Sequence, residues 1–387
     1  MREDPEGPAL RQARRTRSWG FTTLGLAAVA LASPLLLACS PGYVLRAGYE
    51  EAKVLWRREP IADVLGRDDL AADVRRKLDT VLAARAFAVE LGLKPGGSFT
   101  SLSYVDGDEN IFVVSAAPRT ALEPYTWWFP IVGRLPYKGF FDRAGASAEA
   151  ERLASSGYDT HVRTAAAFST LGWFDDPLFR HLLREDEGVL VNLVLHEVFH
   201  NTFYLRGRKA AAFNESLASF AGYRGAIAFF AARSEQDLRE GAEAAWEDER
   251  RFADFIQALG GRLRKVYAAP TDEGAKLAER ERVFAAARAE LRELRFKERR
   301  YTRMLDGALN NAVVLQHLTY TTGFDLFEEA YRRHSDLRAT LEFVQRASRG
   351  GGDDSFDALR RALGDFAPGV AYPREPPQAH NADGSGR

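Results

Sequence analysis

The chain has 387 residues, of which 46% are hydrophobic and 28% charged, a composition typical of globular proteins with a sizeable buried core. Its formal net charge of −1 offers no electrostatic case for binding nucleic acid, which needs a clustered basic surface. The sequence contains no phosphate-binding glycine loop of the P-loop or dinucleotide type. Its single cysteine excludes an intramolecular disulfide and a cysteine-based zinc site.

Residues 1–38 are predicted to be a cleaved export signal. An arginine-rich start precedes a long apolar stretch, and the closing Leu36-Leu37-Ala38-Cys39 resembles a bacterial lipobox. That resemblance implies cleavage before Cys39 and acylation of its side chain, giving a lipid anchor. Ser40 in place of aspartate implies the outer membrane, with the protein facing the periplasm. An ordinary secretory signal and a transmembrane anchor are the alternatives, and Pro34 favours cleavage.

The rest of the chain is predicted to be α+β and predominantly helical. A membrane-proximal segment at 39–60 precedes a catalytic domain at 61–372 and a disordered tail at 373–387. Short strands are predicted at 111–114, 126–132 and 162–171, and prolines between 118 and 136 keep them few and near an edge. Helices are predicted at 43–84, 148–156 with Ser147 as N-cap, 189–205, 211–232, 310–320 and 325–344.

The charge-dense, alanine-rich stretch at 233–303 predicts long antiparallel helices. Gly260-Gly261 and Pro270 are expected to interrupt them. A projecting, coiled-coil-like hairpin is one interpretation, and amphipathic helices that cover the core are the favoured one.

The motif His196-Glu197-Val198-Phe199-His200 predicts a metal site on an apolar helix. Residues four apart lie one turn apart on the same helix face, so His196 and His200 can direct ring nitrogens to one cation. Glu197 lies beside them and is predicted to be the general base that takes a proton from water. Glu215, near the start of the next apolar helix, is the predicted third ligand, and the chain reverses around Gly207, the expected end of the first helix.

A ligand set of two histidines and one glutamate predicts catalytic Zn²⁺ with a fourth position left for water or substrate. The alternative is that both histidines are hydrogen-bonded core residues and Glu197 is a surface charge. The metal site is favoured because buried ionisable groups need partners.

A tyrosine or histidine is expected to stabilise the oxyanion of the transition state by donating a hydrogen bond. The candidates are Tyr158, His161, His317 and Tyr320, of which Tyr320 and His161 are assigned as catalytic; packing is the alternative for each. Ser169–Trp173 could form an edge strand that holds an extended peptide by backbone pairing.

Several segments together resemble a bacterial family of predicted aminopeptidases, whose members are typically periplasmic lipoproteins. These are Glu123–Pro130, Tyr137–Phe141, Asp159–His161, Phe168–Pro177, the metal motif, Phe213–Ser216 and Asn310–Ala312. The resemblance implies zinc held by His196, His200 and Glu215, with Glu197 as the catalytic glutamate.

The chain also departs from well-known zinc aminopeptidases. Their Gly-x-Met-Glu-Asn motif, which binds the substrate amine, is missing, and Ser219 stands where an aspartate often supports the metal ligands. Asp106, Asp108 and Glu109 could bind a free amine, although a charged turn is the favoured interpretation. The aromatic group Trp127, Trp128 and Phe129 is predicted to pack the core rather than bind substrate.

These features predict a zincin-like domain that hydrolyses peptides in the cell envelope, most simply as an aminopeptidase. One alternative keeps the site but makes the protein a zinc endopeptidase. The other is a non-catalytic zinc-binding lipoprotein that binds a partner through its long helices, in which a fourth protein ligand would close the metal site.

Overall fold

The computed structural model describes residues 56–104, 112–129, 133–164, 175–207, 210–297, 301, 307–349 and 354–364. The predicted signal and Cys39, the acidic residues at 106–109, the segment Ser169–Trp173 and the tail at 373–387 lie outside these ranges. Within them, no helix combines the length and apolar character needed to cross a membrane.

The chain divides into two compact units. The first unit comprises Met1–Ala83, Gly96–Leu190 and Phe255–His317, and the second comprises Ala84–Pro95, Val191–Asp254 and Leu318–Arg387. Every strand of the described chain belongs to the first unit, whereas the described part of the second unit is helical. A predominantly helical α+β architecture, as expected from the sequence, is confirmed.

Among the described residues of the first unit, eight short strands form three small sheets. Strands β1, β2 and β8 form one, in the order β1-β2-β8; β6-β3-β7 is the second and β4-β5 the third. All pairs are antiparallel except β2 with β8. The strands are β1 Arg58–Pro60, β2 Ser101–Ser103, β3 Phe112–Pro118, β4 Trp127–Phe129, β5 Gly133–Leu135, β6 Tyr137–Phe140, β7 Tyr158–Thr164 and β8 Leu178–Phe179.

The helices follow the apolar periodicity of the sequence, and their lengths differ widely. The helices are α1 Ile61–Leu65, α2 Ala72–Glu90, α3 Arg143–Ser155, α4 Glu187–Thr202, α5 Ala210–Ala232, α6 Gln236–Ala268, α7 Glu273–Glu293, α8 Asn311–Thr321, α9 Phe324–His334, α10 Leu337–Arg349 and α11 Ser355–Ala362. A 3₁₀ helix at Arg180–Arg184 precedes α4.

Strand β3 is the centre of the β6-β3-β7 sheet, and one of its faces packs on α3 through Val114 and Leu153. Trp127 belongs to the same core, and its indole Nε1 donates a hydrogen bond of 2.8 Å to the Glu149 carboxylate. The prediction that this aromatic group packs the core is therefore confirmed for Trp127, whereas Trp128 is exposed.

Several predicted helix boundaries are wrong. The described part of the helix predicted at 43–84 is instead strand β1, helix α1 and helix α2, and α2 continues to Glu90. Helix α3 begins at Arg143 rather than 148, because Asp142 instead of Ser147 caps it by accepting a hydrogen bond of 2.6 Å from the Gly145 amide. Helix α6 continues through Gly260-Gly261, and the chain breaks only around Pro270. The predicted helix at 325–344 is split at Ser335, whose φ of 53° is left-handed.

A buried polar network joins the start of α8 to strand β7 within the first unit. The Asp159 carboxylate accepts hydrogen bonds from the Asn311 amide, at 2.9 Å, and from the Arg280 guanidinium. The Asn311 side chain donates to the Pro118 carbonyl at 2.8 Å, and Asn310 donates to the Thr160 carbonyl at 3.0 Å. Two of the segments that carry the family resemblance thus contact each other.

Candidate metal centre

Helix α4 separates an apolar face from a polar one. Val194, Leu195, Val198 and Phe199 are completely buried, whereas His196, Glu197 and His200 are only half-buried. Burial of the apolar face anchors the helix by roughly 2 kcal/mol per large side chain. The polar face is left able to receive a ligand.

Two glycines let helix α5 approach α4 closely. A Cβ at Gly222 would lie 2.8 Å from the backbone oxygen of Asn192, and one at Gly225 would lie 2.5 Å from a methyl group of Leu195. At Gly222 the atom met is backbone, so a larger residue there requires the helices to move, whereas at Gly225 a shift of the Leu195 side chain relieves the contact. Close approach of the two helices brings the start of α5 alongside the end of α4.

The turn between the two helices is fixed by side chains. Helix α4 ends at Thr202, so the prediction that Gly207 is its stop is wrong; Gly207 lies in the turn with φ of 134°. Within that turn, the Asn214 side chain accepts a hydrogen bond from the Leu205 amide at 2.9 Å and donates one to the Leu205 carbonyl at 2.8 Å. These two hydrogen bonds hold the start of α5 against the segment after α4.

Three ligand atoms meet where the helices approach each other. The Nε2 atoms of His196 and His200 are 3.3 Å apart, and Glu215 Oε2 lies 3.4 Å from each of them. The side chains of His196, His200 and Glu215 keep 13%, 11% and 27% of their exposure, so solvent can reach the group. The structure therefore brings together the three residues that the sequence pattern selects.

This triangle fits a tetrahedral zinc ion. Donors at 2.0–2.1 Å from zinc and at the tetrahedral angle are about 3.3–3.4 Å apart, which matches all three separations. Among the described residues, the group contains three side chains of the histidine, cysteine, aspartate and glutamate types, and no fourth. Three protein ligands are the number found in catalytic zinc sites, whereas structural zinc sites have four.

Electrostatics favour the charged form of Glu215. Burial alone would raise the pKa of its carboxyl, but hydrogen bonds with His196 and His200 outweigh burial and hold that pKa well below its usual range. The carboxylate is ionised at neutral pH, as a metal ligand must be.

Two further candidates lie beside the triangle in the second unit. Glu197 directly follows His196, and in the described chain no side chain forms a hydrogen bond or ion pair with its carboxylate. The ring of Tyr320 stacks on the His196 ring, with centroids 6.2 Å apart and planes inclined by 25°. Ser216, next to Glu215, donates a hydrogen bond of 3.1 Å to the carbonyl of Thr319, the residue before Tyr320.

The other predicted candidates belong to the first unit. Burial, together with the positive charge of Arg163, lowers the pKa of His161 to about 4. Burial, with contributions from His161 and Arg163, lowers that of His317 to about 4 as well. Both imidazoles are therefore neutral at pH 7. Tyr158 packs edge-on against Tyr125 at a centroid distance of 5.2 Å, which is the packing alternative considered for it.

A family model described as "Putative aminopeptidase" matches residues 42–353, most of the chain. The protein belongs to this family. Searches of curated proteins and of solved structures found no match. The family name indicates peptidase activity, and the matched range contains the whole His196–Glu215 segment. The family resemblance noted in the sequence is confirmed.

The sequence did not reveal the role of three residues that lie on the same helix as Glu215. Asn214, Ser216 and Gly222 are all buried on α5, yet each is small or polar in an otherwise apolar helix. Polar residues in an apolar helix need partners, and that requirement was the available signal. Ser219, the replacement for an acidic residue, is also buried on this helix.

Proposed function

We propose that this protein is a zinc-dependent peptidase and, in keeping with its family, an aminopeptidase of the cell envelope with a zincin-like catalytic centre. The observation that carries the proposal is the triangle of His196, His200 and Glu215, whose edges of 3.3–3.4 Å fit a tetrahedral zinc ion. A glutamate beside the first ligand adds a base, and exposure of the three side chains gives water and substrate access.

His196, His200 and Glu215 would hold the metal. When bound, zinc supplies a Lewis acid that polarises the scissile carbonyl and makes water acidic enough to ionise near neutral pH, around 7. The negative charge of Glu215 would attract the cation. Together with the two neutral histidines it would give the His₂Glu ligand set that is typical of hydrolytic zinc sites.

Glu197 would move the proton. Its carboxylate accepts a proton from the attacking water and passes it to the leaving amine, which prevents expulsion of a strongly basic amide anion. In the described chain this carboxylate forms no hydrogen bond or ion pair with another side chain, so its oxygens are available for that work.

Tyr320 would stabilise the transition state. Its ring lies against that of His196, which places the Tyr320 side chain next to the ligand triangle. A phenolic hydroxyl can donate a hydrogen bond to the oxyanion that forms as water attacks the carbonyl. His161, the other residue predicted for this role, belongs to the first unit, and its role stays a prediction.

Replacing Glu197 with glutamine tests the mechanism. Glu197→Gln keeps the shape of the side chain but removes the base, so we expect one zinc per chain to remain and hydrolysis to fall about 10²–10⁴-fold. Zinc is measured by mass spectrometry of the purified protein, and hydrolysis with a peptide library. The exposed Glu185→Gln variant is the control. Full activity of Glu197→Gln would eliminate the proposed base, and a wild-type protein that binds zinc without cleaving any peptide would favour the non-catalytic alternative.

Blocking the substrate amine tests the aminopeptidase assignment. An aminopeptidase recognises a free α-ammonium, so we expect peptides with a free N-terminus to be cleaved and their N-acetylated counterparts to resist cleavage. Mass spectrometry of the products shows which bond breaks. Equal cleavage of both substrates, at internal bonds, would instead establish an endopeptidase.

A further inference from the structure

Glu215 lies between two residues whose side chains bind the backbone of other segments. Asn214 is 1% exposed and Ser216 is completely buried, and both belong to the second unit, as Glu215 does. Neither side chain is a metal ligand, and each forms a hydrogen bond that leaves its own helix. Asn214 bonds to Leu205 and Ser216 bonds to Thr319, so each residue connects α5 to a different segment.

Asn214 links Glu215 to the helix that carries the histidines. Its amide side chain both accepts from the Leu205 amide and donates to the Leu205 carbonyl, at 2.9 and 2.8 Å. A carboxamide can do both at once, because it carries an acceptor oxygen and a donor nitrogen. Leu205 lies five residues after His200. These hydrogen bonds therefore join the chain that leaves α4 to the start of α5.

Ser216 links helix α5 to the end of α8, where Tyr320 lies. Its hydroxyl donates to the Thr319 carbonyl, one of the last four carbonyls of α8, which have no donor within the helix. Thr319 immediately precedes Tyr320, whose ring stacks on His196. The hydrogen bond from Ser216 thus sets where the end of α8 lies relative to Glu215.

We infer that Asn214 and Ser216 are positioning residues for the site: Asn214 holds the ligand triangle at the size that zinc requires, and Ser216 holds Tyr320 in place beside it. The inference rests on the proposed zinc peptidase function. The triangle tolerates little movement, because ligand distances must stay within about 0.2 Å of their ideal values. Loss of supporting bonds around metal ligands typically costs about 10–100-fold in metal affinity.

The Asn214 part is tested by zinc affinity, measured by competition with a chelator and without any activity assay. We expect Asn214→Ala and Asn214→Asp to bind zinc at least about tenfold more weakly than wild type. Asn214→Asp keeps the size of the side chain, but it replaces the donor to the Leu205 carbonyl with a carboxylate oxygen and adds a negative charge. Asn310→Ala, which removes an asparagine-to-backbone bond in the first unit, is the matched control and is expected to keep wild-type affinity.

A merely structural role of Asn214 would lower the melting temperature of the metal-free protein and leave the zinc affinity of the folded fraction unchanged. That result, or an affinity within twofold of wild type in both variants, would overturn the Asn214 part. If Asn214→Ala does not fold, the Asn214→Asp measurement decides, because the shape of the side chain is retained.

The Ser216 part is tested by a double-mutant cycle with Tyr320→Phe. We expect Ser216→Ala to lower kcat about tenfold while zinc affinity and KM stay near wild-type values. In the Tyr320→Phe background the same substitution is expected to cost nothing further, because the hydroxyl that it positions is already missing. An equal loss in both backgrounds, or weakened zinc binding, would overturn this part.

The outcomes separate this inference from the proposed function. If wild-type protein binds zinc at the triangle and cleaves no peptide, the peptidase proposal fails while the Asn214 measurement keeps its meaning. If wild type cleaves peptides and both Asn214 variants bind zinc normally, the inference about Asn214 fails and the peptidase proposal stands.

Discussion

At the scale of single residues, the pairing of the two histidines follows from helix pitch. His196 and His200 are one turn apart, and the structure places their Nε2 atoms 3.3 Å from each other. Glu215 could be predicted because it stands in the next apolar helix after a polar turn. The supporting role of Asn214 could not, since it depends on Leu205, whose backbone direction is set by the turn itself.

Tyr320 and His161 show the limit of residue-level prediction. Both were chosen by type, as possible hydrogen-bond donors to an oxyanion. The structure places Tyr320 against His196, whereas His161 lies in the other unit on strand β7, near His317 and Arg163. Nothing in the residue type or spacing distinguishes these two environments.

Two partly buried histidines of the first unit predict a pH-dependent stability. His161 and His317 titrate at about 4 when folded and near 6.5 when unfolded, so the unfolded chain binds more protons between those values. The free energy of unfolding is therefore expected to fall as pH decreases from about 6.5 to about 4, by at most about 1.4 kcal/mol per pH unit for each histidine.

This dependence is measured by urea unfolding of metal-free protein at several pH values. His317→Gln is expected to flatten the slope across that window, and Arg163→Gln to flatten it partly by removing a charge that lowers both pKa values. An unchanged slope in His317→Gln would contradict the buried, neutral state of this histidine.

At the scale of elements, helix existence was easier to predict than helix ends. The apolar runs at 189–205 and 211–232 became α4 and α5 with small shifts, because a buried stripe of large side chains is a strong signal. Helix α3 began early because Asp142 caps it, and a cap depends on backbone geometry that the residue type alone does not specify.

Glycines account for one wrongly predicted helix break and for the close packing of α4 on α5. Gly260-Gly261 was expected to break a helix, yet α6 continues through both residues, since each glycine costs only about 1 kcal/mol. In α5, Gly222 and Gly225 instead provide the room in which α4 lies. Which of these two uses a glycine has depends on the neighbouring helix, and the local sequence does not contain that information.

Gly222→Ala is expected to force α4 and α5 apart. Its Cβ would lie 2.8 Å from Asn192 oxygen atoms, so we expect a loss of about 1–3 kcal/mol in the free energy of unfolding, together with weaker zinc binding. Gly241→Ala in α6 is the control, because nothing lies within 4 Å of its added Cβ and alanine favours a helix. Denaturant unfolding and chelator competition measure the two effects; equal behaviour of the two variants would contradict the close approach.

At the scale of the whole molecule, composition and periodicity predicted a mostly helical α+β protein, and they did not predict its division into two units. The first unit is assembled from three separate stretches of sequence, which are joined by contacts such as those of Asp159 with Arg280 and Asn311. Pairings between residues more than a hundred positions apart leave no periodic signal in the sequence.

The lipid anchor is a prediction about the intact chain. Cys39→Ser is expected to remain unprocessed and unacylated, because the lipobox cysteine is the site of lipid attachment. Metabolic labelling with a fatty acid measures acylation, and the electrophoretic mobility of the chain measures removal of the signal. A Cys39→Ser protein that is still processed and labelled would contradict the lipoprotein assignment.

The three predicted ligands come from one uninterrupted stretch, residues 196–215, on two consecutive helices. A short closed loop costs little chain entropy, and a metal that bridges it adds its binding energy directly to local folding. Assembly of the proposed ion site therefore has a low contact order and uses no residue of the three sheets of the first unit. Metal binding at the proposed site would consequently report the pairing of these two helices, whereas turnover would also require Tyr320 at the end of α8.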